Sequence, residues 1–250
     1  MIKYKNILFV FFTGLAFLLI MAGLLIFQTL NRTKIQIDIC QNLDIIALST
    51  YAEPPQFAIW IENIRTHELK TVFVTHRAST GDWEGKTHVP VALPRWYDLF
   101  MEENTPFTII EDEKFMAVTG ATPKKDYFSI RIEVKPGTKW FCWIEVNLAG
   151  DYNEAFPELN LQTFEEDEFA TGQPALLYKA EIIAAEGMIY TPDIVAQSKW
   201  LDGENKIEPV GDGITTAKNI FDSIQISVIR PKPKLIDKVK IKVYKNEKDY

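Results

Sequence analysis

Two hydrophobic patterns follow one another along the chain. From Ile7 to Leu30 the sequence ILFVFFTGLAFLLIMAGLLIFQTL carries no charge. It is long enough for the ~20 apolar residues that an α-helix needs to cross a bilayer core. A helix also satisfies its own backbone hydrogen bonds where lipid offers no partner.

Beyond Lys34 the pattern changes to period two, the signature of strands with one buried face. KIQIDICQ places Ile35, Ile37 and Ile39 on one side, and PQFAIWIENI and ELKTVFVTH follow, separated by the polar turn NIRTHE. DYFSIRIEVKPG, KWFCWIEVNLAG, PALLYKAEIIAA, NIFDSIQISVIR and KLIDKVKIKVYK continue the series. Each is short, rich in β-branched and aromatic residues, and closed by turn formers.

Phe128, Ile130, Ile132 and Val134 alternate with Ser129, Arg131 and Glu133, so that strand has one face in a core and one in water. In the next, Phe141, Trp143 and Glu145 alternate with Cys142, Ile144 and Val146, which predicts cover on both sides near its start. VKPGTKW between them reads as a hairpin connection with Gly137 at positive φ. TTAKNIF predicts one helical turn. Lys238, Lys240 and Lys242 alternate along the last segment, which predicts an edge strand protected by charge.

Roughly eight strands without long amphipathic helices predict a mainly β, antiparallel immunoglobulin-like sandwich, with a barrel as the alternative closure. The expected organisation is a cytoplasmic stub at 1–6, a transmembrane anchor at 7–30 and an extracytoplasmic β-domain at 34–245. Lys3 and Lys5 precede the apolar run and are expected to stay in the cytoplasm. The expected location is the cell membrane, as a single-pass protein in contact with lipid through 7–30. A cleaved signal peptide is the alternative. Its apolar core is usually about 7–15 residues and ends in a small-x-small site, which Phe27-Gln28-Thr29-Leu30-Asn31 lacks.

Composition narrows the classes further. The 250 residues, 47% of them apolar, suffice for a sizeable core. A net charge of −7 without a basic patch argues against nucleic acid, which requires concentrated Lys and Arg. Cys40 and Cys142 both fall in strand patterns, where two buried thiols are favoured slightly over a bridge.

Candidate chemistry is sparse. His67, His76 and His88 lack the spacing of a metal site. No G-x-S-x-G elbow occurs, and no enzyme is predicted. Asp151, Asn153 and Glu154 place oxygens at nearby positions, but a turn after a strand accounts for them better than a calcium loop. The acidic run Glu165 to Glu168 reads as a solvated loop. Trp60, Trp140 and Trp143 have core periodicity. Trp83 and Trp96 lie in the strand-poor region from Ala78 to Pro123 and are the candidates for a glycan- or peptide-binding loop. In AVTGATPKK, Gly120 and Pro123 are accounted for by a turn that feeds the following strand. The hydroxyl of Thr122 is the other reading, an acceptor for a covalent phosphodiester.

Several segments together, PQFAIWIENI, LKTVFVT, PVALPRWYDL, AVTGATPKKDYFSIRIEV, WIEVNLAGDYNEAFP, GQPALLYKAEI and GITTAKNIFDSIQISV, resemble a bacterial exported family of unknown function. Its members are predicted periplasmic β-sandwich proteins whose genes tend to lie near membrane flavin-redox genes. The resemblance covers roughly Gln56 to Val228. It implies an accessory or interaction module of a membrane redox assembly, with membrane redox proteins as partners. Thr119, Gly120, Ala121 and Thr122 also resemble the acceptor motif for covalent flavin mononucleotide, in which a flavin transferase modifies the last threonine. That implies FMN on Thr122 and an electron-carrier role. The motif usually has an acidic residue where this chain has Met116.

Overall fold

A computed structural model describes residues 2–30, 32–80, 91–100, 118–120, 126–201 and 203–230. Helix α1 (Ile2–Leu30) is a continuous helix of 29 residues. Between Phe11 and Leu24 its apolar side chains point in all directions, and every side chain there is exposed. Counted over described residues alone, no helix is long and apolar enough to cross a membrane.

One strand residue beyond Arg32 the period-two pattern takes over. The order is β1 (Thr33–Gln41), α2 (Leu43–Leu48), β2 (Gln56–Asn63), β3 (Leu69–Thr75), α3 (His76–Thr80) and α4 (Pro94–Phe100). Then come β4 (Val118–Gly120), β5 (Tyr127–Val134), β6 (Lys139–Asn147), β7 (Ala175–Ile183), β8 (Ile189–Tyr190), β9 (Asp193–Leu201), β10 (Glu204–Glu208), a 3-10 turn at Thr216–Asn219 and β11 (Phe221–Ile229). Four strands pair in the order β5-β1-β11-β8 and seven in the order β10-β9-β7-β6-β2-β3-β4. Every pairing is antiparallel except β3 with the short β4.

The alternation dictates which faces meet. Ile35, Ile37 and Ile39 of β1, with Ile224, Ile226 and Val228 of β11, face Phe57, Ile59 and Ile61 of β2 and Cys142, Ile144 and Val146 of β6 in one core. Phe57 meets Phe128 and Phe221 edge-on, at 5.4 and 5.8 Å between ring centroids, and so ties the two sheets together. A second cluster, built on Ala58, Trp60, Val74, Leu93, Trp96, Leu177 and Ala196, lies on the opposite face of the seven-stranded sheet, under α4.

The two ends of the sheets are distinct. β1 starts at Thr33, opposite Val134 at the end of β5, and a short turn leads from there to the start of β6. Gln41, Tyr127, Asn147, Ala175 and Phe221 mark the other end. Along the nine residues of β1, at about 3.3 Å per step, the ends lie roughly 26 Å apart. The chain enters from α1 at the near end.

Most of the strands expected from the pattern are present, and TTAKNIF does form one turn. Gly137 takes φ +72° as expected. Its segment is not a hairpin, however, because β5 and β6 belong to different sheets and the turn crosses between them. Cover on both sides of β6 falls at its end rather than its start. Glu145, Val146 and Asn147 are all buried, while Lys139 is exposed and Phe141 half-buried. The reason is α4, which sits over that end. The lysine-rich last segment lies outside the described residues.

Candidate functional site

The groups that stand apart chemically gather at the far end. The first is Glu145, fully buried on β6. Its side chain accepts the backbone N–H of Arg95 at 3.0 Å, the N–H of Trp96 at 2.7 Å and the hydroxyl of Ser198. Burial pushes its carboxyl up to about 7, against the pull of the Ser198, Arg95 and Trp96 bonds. Pro94 opens α4 where no N–H is needed, and the next two amides point at Glu145. Arg95 is ion-paired with Asp98 at 3.0 Å, and Asp98 also accepts Asn205 Nδ2 from β10 at 3.2 Å. Trp96 Nε1 donates to Thr71 Oγ1 at 3.2 Å. Three donors surround the carboxylate, so Glu145 holds α4 on the sheet.

The second is a polar network below the turn after β6. The Asp151 carboxylate accepts Gln173 Nε2 at 2.8 Å and the hydroxyl of Thr216. Gln173 Oε1 accepts the N–H of Thr215, and Asn153 Nδ2 donates to the Gly213 carbonyl at 2.9 Å. Burial raises the Asp151 carboxyl above its ordinary value. The backbone closes tightly around it. Gly172 has φ +64°, and a Cβ there would lie 2.7 Å from the Asp151 backbone. Gly150, at φ +68°, leaves no room for a Cβ beside the Tyr51 ring.

From this base rises a small hairpin. Leu159 bridges to Glu166, Asn160 N donates to the Glu165 carbonyl at 2.9 Å, and Asp167 N donates to the Glu158 carbonyl at 2.9 Å. Asn160 Oδ1 accepts the N–H groups of Gln162 and Thr163 at 2.9 and 3.2 Å. The Asp167 carboxylate accepts Gly172 N at 2.7 Å and pins the hairpin to the network. At its tip Leu161 is 76% and Phe164 78% exposed, and Phe164 holds φ +58°.

The residues singled out in the sequence scatter. Thr119 and Gly120 lie on β4 at the edge of the seven-stranded sheet. Ala121, Thr122, Met116, Trp83 and His88 lie outside the described residues. Trp96 is buried at 2% exposure, so a loop surface of the expected kind would rest on Trp83. His67 is exposed in the β2–β3 turn, 3.1 Å from Glu62, and His76 opens α3. Cys40 and Cys142 are both free thiols, on different sheets. Asn153 forms the expected turn by accepting the N–H groups of Ala155 and Phe156. Among the described residues, no three His, Cys, Asp or Glu side chains gather as a metal site.

Glu145, Gln173 and the Leu161–Phe164 tip were not singled out in the sequence. A lone carboxylate inside the apolar run WFCWIEVNL is the signal that would have pointed to the first. No protein-family model, curated protein or solved structure matches this chain.

Proposed function

We propose that this chain is an accessory module that is held in the membrane by α1, displays an immunoglobulin-like β-domain outside the cytoplasm, and acts by binding a partner protein. The observation that carries the reading is α1 itself. It is apolar on all sides and exposed along Phe11 to Leu24, which water does not tolerate and lipid does. Lys3 and Lys5 precede it and favour a cytoplasmic N-terminus. The two buried carboxylates, Glu145 and Asp151, are taken up by bonds inside the fold, which supports binding over catalysis. The sandwich reading draws on the shared core between the sheets and on a chain that passes repeatedly from one to the other.

Alkaline extraction of native membranes, followed by protease treatment of intact cells or spheroplasts, tests this. The chain is expected to stay in the pellet and its β-domain to be cut from outside. Release into the alkaline supernatant defeats the anchor. The redox setting rests on the sequence resemblance alone. It fails if deleting the gene leaves flavin-linked electron flow in the membrane unchanged.

A further inference from the structure

We infer that the hairpin Glu158–Asp167, with Leu161 and Phe164 at its tip, is the docking surface for a partner protein whose apolar pocket is rimmed by lysine or arginine. The inference rests on the anchored reading above and identifies the surface through which the module works.

Three observations carry it. The first is apolar exposure on a built element. Leu161 and Phe164 contribute almost nothing to the core, yet backbone bonds at Asn160 and Asp167 hold the loop that presents them. Large apolar side chains presented together in water on an ordered element, rather than a single one, mark an interaction site. The base of the hairpin lies beside the segment that follows α2. Thr50 N donates to the Gly150 carbonyl, and the Tyr51 ring covers Gly150.

The second observation is charge. Neither 35–64 nor 140–178, the segments that supply the hairpin and α2, contains a single Lys, Arg or His. Among the described residues none of Glu158, Glu165, Glu166 and Asp167 has a cationic partner. Arg77 and Lys199, from α3 and β9, are already ion-paired with Glu53 and Glu208. The complement of an apolar tip in an anionic collar is an apolar pocket in a cationic rim. An anionic lipid surface would be repelled by the same collar.

The third is position. The hairpin follows the end of β6, at the end of the sheets opposite the one where α1 joins β1. A domain tethered at its near end offers its far end to other proteins.

The test uses the full chain in native membranes, with a photoreactive benzophenone amino acid replacing Leu161. The expected result is a discrete adduct with a different protein, whose crosslinked peptide maps beside lysines or arginines. Phe164→Gly, and separately Glu165→Lys with Glu166→Lys, should each lower its yield about tenfold, the scale of losing one interface anchor. Glycine adopts the Phe164 backbone conformation freely, so thermal unfolding of Phe164→Gly should stay at or above that of the parent. Adducts only with lipid or with a second copy overturn the proposal. So do the absence of an adduct, a mapped site without basic residues, a yield indifferent to these substitutions, or the same adduct from a benzophenone replacing Glu186 at the near end. Alkaline extraction of the same membranes reports on α1 separately, so failure of the anchor and failure of the docking surface remain distinguishable.

Discussion

The carboxylate of Glu145 on β6 accepts the backbone N–H of Trp96 at 2.7 Å, across 49 positions of sequence. A buried carboxyl group thus decides where α4 lies.

That relationship gives stability a pH dependence with a definite sign. The Glu145 carboxyl rises from an ordinary 4.5 to about 7 on folding, so the fold favours its protonated form. The stabilisation linked to it is complete below pH 4.5 and is lost as pH rises through about 7. The Arg95 and Trp96 amides use different carboxylate oxygens, so Glu145→Gln keeps an acceptor for one of them and removes the titration. The urea midpoint of the variant should fall less than the parent's between these values, and equal slopes would contradict the assignment. Glu145→Leu leaves the amides unpaired and should cost roughly 2–4 kcal/mol.

Glycines at the far end and the near end should respond differently to the same change. Gly137 has φ +72° and open space where a methyl would sit, whereas a methyl on Gly172 would lie 2.7 Å from the Asp151 backbone. Gly137→Ala should cost about 1 kcal/mol, from the backbone conformation alone. Gly172→Ala adds a collision with main chain that cannot rotate away, and should cost roughly 3 kcal/mol or more. Chemical denaturation of the two variants compares them directly.

Gln173 serves three partners, Asp151, Thr216 and the Thr215 amide. Gln173→Leu leaves the buried Asp151 carboxylate with the Thr216 hydroxyl alone and strands the Thr215 amide, and a loss of roughly 2–4 kcal/mol is expected. Gln162→Leu in the exposed hairpin should change stability by less than about 0.5 kcal/mol. Similar losses for the two would show that the network contributes little.

The two thiols should react at different stages. Cys142 is fully buried, and burial pushes its thiol up to about 12, so it presents neither access nor thiolate. Cys40 on β1 is half-buried and borders the surface. Alkylation followed by intact-mass measurement should add one label to the folded protein and a second after denaturation. Two rapid labels in the native state would contradict the burial of Cys142.

Much of the fold was legible because period two is a local property. The isoleucines of β1, the run from Phe128 to Val134 and the turn at Asn63–Glu68 reveal themselves by spacing. β9 and β10 did not. In DIVAQSKWL the polar residues Gln197 and Ser198 are buried, because β9 lies between β7 and β10 and Ser198 reaches Glu145. Pro94 reads as a breaker in sequence, yet it opens α4, since a first helical residue needs no N–H.

By itself the sequence determined an uncharged helix-length run, a mainly β remainder, an acidic balance and the faces of the alternating strands. These follow from side-chain chemistry read at short range. Only the tertiary structure decided that the β5–β6 turn crosses between sheets, that Glu145 is spent on α4, that Trp96 is a core residue, and that Leu161 and Phe164 stand in water at the end away from α1. Those facts depend on which distant strands pair, and pairing energy comes from surfaces buried jointly by residues far apart in the chain.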